Sequence, residues 1–444
     1  MLAPGTRCGT LGASWRPPVR GTSAATSGSD LTVSGNTDTA IATANSVTQQ
    51  MTLDGTKLTL GTASATANTA PSGTEAGVAD SDASGQALVS SRQTNTFADT
   101  AATNTASSIT LNAGATKGSS LEVSSNLQDS TATGSTAGNT LALSGNAVGT
   151  GAAIVSTQTS DSQSTVTAST TGATGITAAS LSKTADDLGS SASLIDNKLQ
   201  SRATGGSVTN TLTASATSIT LQAPDATAAA TISNSALTSD TSLSGTVSAG
   251  YATLNDQLIA GDVSATTNAT GSADAGFAVT STGDMKNGSS INNDRNAMTA
   301  QAQGALAANT TNLVVGGTLS QGTATGAYVA NAAVIANIQE LSDGADVTAR
   351  VDTTSDPAVL SKVGGALDGS SVSTSNNKIQ ALADGAAATN AMTVSATTLS
   401  TAANATGEPG SSVTCRSTRG PRAMFEPMGS RAQQPRERPE GARR

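Results

Sequence analysis

Strand-like alternation of apolar and polar residues dominates this chain. In Ser108-Ile109-Thr110-Leu111 and Ser218-Ile219-Thr220-Leu221 an aliphatic side chain falls on every second position, the period of a strand with one buried face. Met51-Thr52-Leu53-Asp54-Gly55-Thr56-Lys57-Leu58-Thr59-Leu60 sets an Asp-Gly pair between two such stretches, which predicts a hairpin or tight turn. Threonine and valine are plentiful, and their branched side chains fit a pleated surface. One short stretch, 332–341 (AAVIANIQEL), reads as a helix.

The pattern repeats on two scales. Asparagines stand 13 residues apart at Asn126/Asn139, Asn197/Asn210, Asn296/Asn309 and Asn377/Asn390, and 9 apart at Asn36/Asn45 and Asn95/Asn104. A longer beat of 41, 41 and 40 residues separates Asn255, Asn296, Asn337 and Asn377, each followed closely by a large aliphatic residue. Periods of this size mark a solenoid, propeller or array.

These features predict an all-β, elongated β-solenoid (β-helix) built from irregular repeats. Glycine and asparagine serve its corners. The asparagines either stack as hydrogen-bonded ladders or act only in turns. With about 20 residues per coil at about 4.8 Å rise, the centre would make roughly 19 coils and a rod of about 90 Å. Uneven repeat lengths in the N-terminal half predict loops of variable size leaving one side. An antiparallel sandwich is the alternative fold, but it normally carries more aromatics.

Composition explains why a thin tube is favoured. Aromatics are 1% and charged residues 12%, against about 25% charged in ordinary globular domains. Between residues 29 and 406 only Pro71, Pro224 and Pro357 interrupt the chain. The two ends differ from this centre. Residues 1–28 hold Cys8, Trp15, three arginines and three prolines, while 407–444 hold Cys415, eight arginines and five prolines. The expected division is a disordered or non-native leader segment (1–28), a β-solenoid repeat domain (29–406) and a disordered Arg/Pro-rich tail (407–444). The tail reads either as a basic arm for an anionic polymer or as sequence foreign to the central protein. The centre carries 11 basic and 27 acidic residues, a net of −16.

Candidate chemistry is sparse. With no histidine and only Cys8 and Cys415, neither a histidine-based nucleophile nor a Cys-rich zinc site can be built. The expected catalytic, cofactor-binding and metal residues are none, and the chain is expected not to be an enzyme. Basic residues interleaved with aromatics are too few for nucleic-acid stacking, and no run of about 18 apolar residues forms a transmembrane helix. Gly149-Thr150-Gly151 looks like the start of a dinucleotide loop but fits a β corner better, and Gly114–Ser119 looks like a phosphate loop but has the wrong spacing. Asp80/Asp82, Asp186/Asp187 and Asp343/Asp346 could hold calcium but read as solvated turn acids. Arg295 with Asp294, and Arg350 with Asp352, are the central charge neighbours that a carbohydrate-active enzyme could use, and their adjacency on a strand argues for separated faces. Asn-x-Ser/Thr sequons occur at Asn268, Asn287, Asn309 and Asn404, a number expected by chance in a chain so rich in serine and threonine.

At the Asn-x-Leu…Asn-x-Leu-Thr repeats, over residues 29–406, the text resembles bacterial secreted β-strand-repeat surface proteins, closest to holdfast-anchoring or adhesin-type proteins. That resemblance implies an extracellular or outer-cell-surface location and attachment of an adhesive polysaccharide, although no leader is visible near Met1. The expected function is a non-enzymatic structural or adhesive surface protein. Its expected partners are a cell-surface glycan, other surface-protein subunits or further copies of itself. Two alternatives stay open. One is a flat-face binder such as an ice-binding protein, for which Thr157/Thr159, Thr165/Thr167 and Thr209/Thr211 are the candidate pairs. The other is a polysaccharide-active enzyme on a β-helix.

Overall fold

The computed structural model describes residues 13–14, 19–59, 65–68, 79–184, 189–222, 228–234, 245–269, 275–322, 331–342, 344–353, 357–401 and 410–418. Among these residues the regular elements are all strands. The chain winds through four walls in fixed order. In the second coil they are wall A (Asp99–Lys117), wall B (Ser120–Ser124), wall C (Leu127–Val148) and wall D (Ala152–Ser160). Each wall pairs in parallel with its counterpart in the coils above and below, which makes the molecule a β-solenoid.

The register fixes the size of a coil. In wall B, Ser120 pairs with Asp30 and Ser191, Ser191 with Ser290, and Ser290 with Ser371. The offsets are therefore 90, 71, 99 and 81 residues, and among the described residues five coils are stacked. The expectation of about 20 residues per coil fails because the walls are long. Wall C alone takes 22 residues in the second coil, about 70 Å of extended chain, whereas five coils rise only about 20 Å from first to last.

Two layers make the tube. Walls D and A run one way and walls B and C return beneath them, so Ser91 meets Asn139, Asn95 meets Ser135, and Gln128 meets Ala173 and Thr174. The 41-residue beat is thus half a coil. Asn255 and Asn337 lie in wall D and pair with each other, whereas Asn296 and Asn377 stand at the head of wall C. The uneven coil lengths arise mainly at one junction, between walls C and D. Two inserts leave there, and their strands Ala79–Gly85 and Ala228–Asn234 pair antiparallel.

Two other expectations change. Asp54-Gly55 makes no hairpin: Thr37–Asp54 and Lys57–Leu58 both pair in parallel with Leu127–Val148, so the wall simply continues. The helix expected over 332–341 is the wall D strand Asn331–Leu341. Both its faces are buried, which removes the polar alternation that identifies a strand. Strands at Val19–Ser27 and Gly410–Thr418 join walls A and D, and these lie in the two compositionally distinct end segments.

The core is divided. Leu141, Leu143, Ile154, Leu212, Tyr251 and Leu313 fill one lobe between walls C and D. Ile109, Leu121, Ile176, Leu194, Phe277 and Met298 fill another, chiefly between walls A and B. Between them lies a waist where the layers approach closely. Wall C there stacks Ala42, Ala132, Ala203, Ala302 and Ala383, opposite Ala102, Ala168 and Ala265 of wall A.

Candidate functional site: ladders, corners and outer faces

The polar side chains of the tube are ordered mainly by stacking. At the corner between walls B and C, the residue with left-handed backbone is Gly35, Ser125, Asp196, Arg295 or Asn376 in successive coils, with φ between 53° and 66°. The next residue is always asparagine. Asn36, Asn126, Asn197 and Asn296 each donate their backbone N–H to the Oδ1 of the asparagine in the following coil, at 2.9–3.1 Å. The side-chain amide of each donates to the same oxygen. Ladder stacking is therefore the reading that holds for these residues.

A second ladder explains the 13-residue step. Asn139 Nδ2 donates to Asn210 Oδ1, Asn210 Nδ2 to Asn309 Oδ1, and Asn309 Nδ2 to Asn390 Oδ1, at 2.8–3.0 Å. Sequence reading missed a third. Gln158 donates to Gln93, Gln257 to Gln158 and Gln339 to Gln257. Each of these four glutamines also donates across the tube, to the carbonyl of Thr136, Ser207, Leu306 or Ala387. Its signal was a Ser/Asn-x-Gln triplet in wall D, at Ser91-Arg92-Gln93, Ser156-Thr157-Gln158, Asn255-Asp256-Gln257 and Asn337-Ile338-Gln339.

The charged neighbours are absorbed by the same architecture. Arg295 donates Nε and Nη2 to the two carboxylate oxygens of Asp196 in the preceding coil, at 2.9 and 3.1 Å, and Nη1 to Asp294 at 2.6 Å. Asp294 also accepts from Ser375 Oγ and Asn376 Nδ2 in the following coil, at 2.8 and 3.0 Å. The hydrogen bonds from Arg295 hold Asp196 below the ordinary carboxylate range. Those from Ser375 and Asn376, aided by the Arg295 charge, do the same for Asp294. Separated faces were expected for Arg295 and Asp294, but the left-handed corner brings them together. Arg350 and Asp352, two apart on one strand, share a face and pair at 3.1 Å. Both arrangements neutralise charge and tie neighbouring residues together.

The other candidates scatter. The side chains of Asp80 and Asp82, and all of Asp186, Asp187 and Asp343, lie outside the described residues. Asp346 donates its backbone N–H to Asp262 Oδ1 at 3.0 Å. Among the described residues no group of three or more His, Cys, Asp or Glu is placed to hold a metal. Gly149 and Gly151 form the corner between walls C and D, with strand Ala152–Ser160 following, and Gly114–Ser119 spans the end of wall A and its corner. Among the sequons, Asn309 is a buried ladder residue, Asn268 is half-buried, Asn287 is exposed at a corner, and Asn404 lies outside the described residues. No described helix is long and apolar enough to cross a membrane.

The broadest open surface is the outside of wall C. Five parallel strands display Thr43, Thr133, Thr204, Gln303 and Asp384 in one column and Gln50, Thr140, Thr211, Thr310 and Ala391 in another. Thr209/Thr211 lies here, and Thr165/Thr167 lies half-exposed on wall A. Thr157/Thr159 is buried on wall D. No outward column of wall C keeps threonine in all five coils.

No protein-family model, curated protein or solved structure matches this chain.

Proposed function

We propose that this protein is a non-enzymatic structural and adhesive component of an outer cell surface or extracellular matrix. Its outer faces make repeated weak contacts with a surface glycan or with neighbouring surface subunits. The observation that carries this reading is the outside of wall C, where hydroxyl and amide side chains recur from coil to coil at the spacing of the strands. Weak contacts repeated on a rigid plane add through effective concentration. The resemblance of the repeats to holdfast-anchoring and adhesin-type surface proteins supports the placement at a cell surface and an adhesive polysaccharide as the first ligand class to try.

Titration of the purified chain against immobilised polysaccharides, with the free oligosaccharides as competitors, tests the reading. Retention on the polymer with competition only at far higher oligosaccharide concentration is expected. Absence of retention on every surface polysaccharide and surface-protein preparation tried would contradict it. Replacing Thr209, Thr211 and Thr213 with bulky lysines on the same face is expected to change retention while leaving the strand spectrum intact.

A further inference from the structure

The two ends of the stack are unlike its middle, and they are complementary. In the fourth coil Met285, Ile291 and Met298 point into the tube and are buried. Their register partners in the fifth coil, Leu367, Val372 and Ile379, are 53%, 40% and 55% exposed. The large apolar residues that line the tube thus meet solvent at its C-terminal end. Outside wall C, one column carries exposed aliphatics at both ends: Ile41 in the first coil and Leu382 in the fifth, 67% and 43% exposed. Between them the column is polar, with Thr131, Arg202 and Gln301.

The asparagine ladder gives the ends a direction. Every asparagine donates its N–H toward the next coil and accepts, through Oδ1, from the one before. The fifth coil therefore ends on the Asn377 N–H, and the first begins on the Asn36 Oδ1. These groups are donor and acceptor of one further rung. Continuing the register would set Asn377 against Asn36, Ala381 against Ala40, Leu382 against Ile41, Ala383 against Ala42, and Met392 against Met51. Unlike pairs stand among them as well, Ile379 against Asp38, Ala386 against Asn45 and Ala391 against Gln50.

We propose that copies of this chain stack head to tail, the fifth coil of one seating on the first coil of the next in the register of the asparagine ladder. The occupant of each open end is a second copy because that end repeats the cross-section, the ladder polarity and the aliphatic column of its opposite. Edge strands of this kind recruit another strand through their unpaired backbone groups. The contact is heterologous, so it generates an open filament rather than a closed dimer. This inference rests on the ends of the tube alone and not on the adhesive reading of its faces.

Two single-cysteine proteins test it, each full length with Cys8 and Cys415 replaced by serine: Ile41→Cys and Leu382→Cys. Both sites point outward, and the strand circular dichroism of each variant checks that it folds. Mixed under mild oxidation without any glycan, the two are expected to give a covalent Ile41→Cys/Leu382→Cys product as the main species, with little self-crosslinking of either protein alone. Sedimentation of the unsubstituted chain is expected to show a concentration-dependent ladder of sizes, and Leu382→Lys is expected to reduce it at least tenfold in concentration dependence. Self-crosslinking of Ile41→Cys as the main product, or a monomer at every concentration, would overturn the proposal. Glycan retention is measured separately, so failure of either idea is recognised on its own.

Discussion

The lobes and the waist of the tube solve the same packing problem with different materials. In the lobe between walls C and D, Leu141 and Leu212 stack on each other between Met51 and Thr311, and the large Tyr251 stands between the small Ala152 and Ala333. Size is balanced there from coil to coil, so the lobe stays filled. At the waist alanine columns bring the layers together, and hydroxyls and amides bond directly from one to the other. Ser201 Oγ donates to Thr266 O, and Thr267 Oγ1 to Thr299 O, both at 2.7 Å. Burying these groups is tolerated because each is partnered. The contrast shows how a chain poor in large side chains can be ordered: bulk is confined to two lobes, and backbone-directed hydrogen bonds close the rest.

The sharpest way to break the waist is its glycine column. Gly134, Gly205, Gly304 and Gly385 follow one another at the kink of wall C, and a Cβ added at Gly205 would stand 2.5 Å from the Gly304 carbonyl oxygen and 3.0 Å from Val263 Cγ2. Gly205→Val is expected to lose about 3 kcal/mol or more of stability, seen as loss of the cooperative denaturant transition. In the lobe, Leu212→Ala removes fully buried volume and should cost about 3 kcal/mol. Asn210, two residues earlier on the same strand, sharpens the comparison. Asn210→Leu adds apolar surface, yet it removes the acceptor for Asn139 and the donor for Asn309. A loss of about 2 kcal/mol is expected, and a gain in the denaturation midpoint would refute the importance of the ladder.

The smallest effect belongs to the corner. Asp196 and Asp294 are held below the usual carboxylate range. Their contribution is therefore present above the unfolded pKa of about 4 and is lost as pH falls through the lower folded values. Thermal midpoints should be flat from about pH 5 to 8 and decline in acid. Arg295→Ala should shallow that acid decline while changing the neutral midpoint little, because the pairs it makes are solvent-screened.

Much of this was legible in the sequence. The 13-residue asparagine step lies within one wall, where register turns spacing directly into stacking. Coil length was not legible, because the two layers carry similar asparagine–aliphatic text and half a coil looks like a whole repeat. The glutamine ladder was hidden for a related reason: its members are 65, 99 and 82 residues apart, intervals stretched unequally by the inserts. Asp54-Gly55 misled because turn chemistry permits a reversal without requiring one. The exposed residues at the fifth coil carry no sequence signal at all, since Ile379 differs from the buried Met298 only in having no described coil beyond it.

Coil size is the claim on which this account stands, and one distance tests it. Thr43 and Asp384 face outward in the same column of wall C, four coil steps apart. Spin labels at these positions, in a chain with Cys8 and Cys415 replaced by serine and diluted with unlabelled protein, should give a narrow distribution near 20 Å, four steps of about 4.8 Å. A separation near 80 Å, as coils of about 20 residues would require, or a broad distribution without a peak, would contradict it.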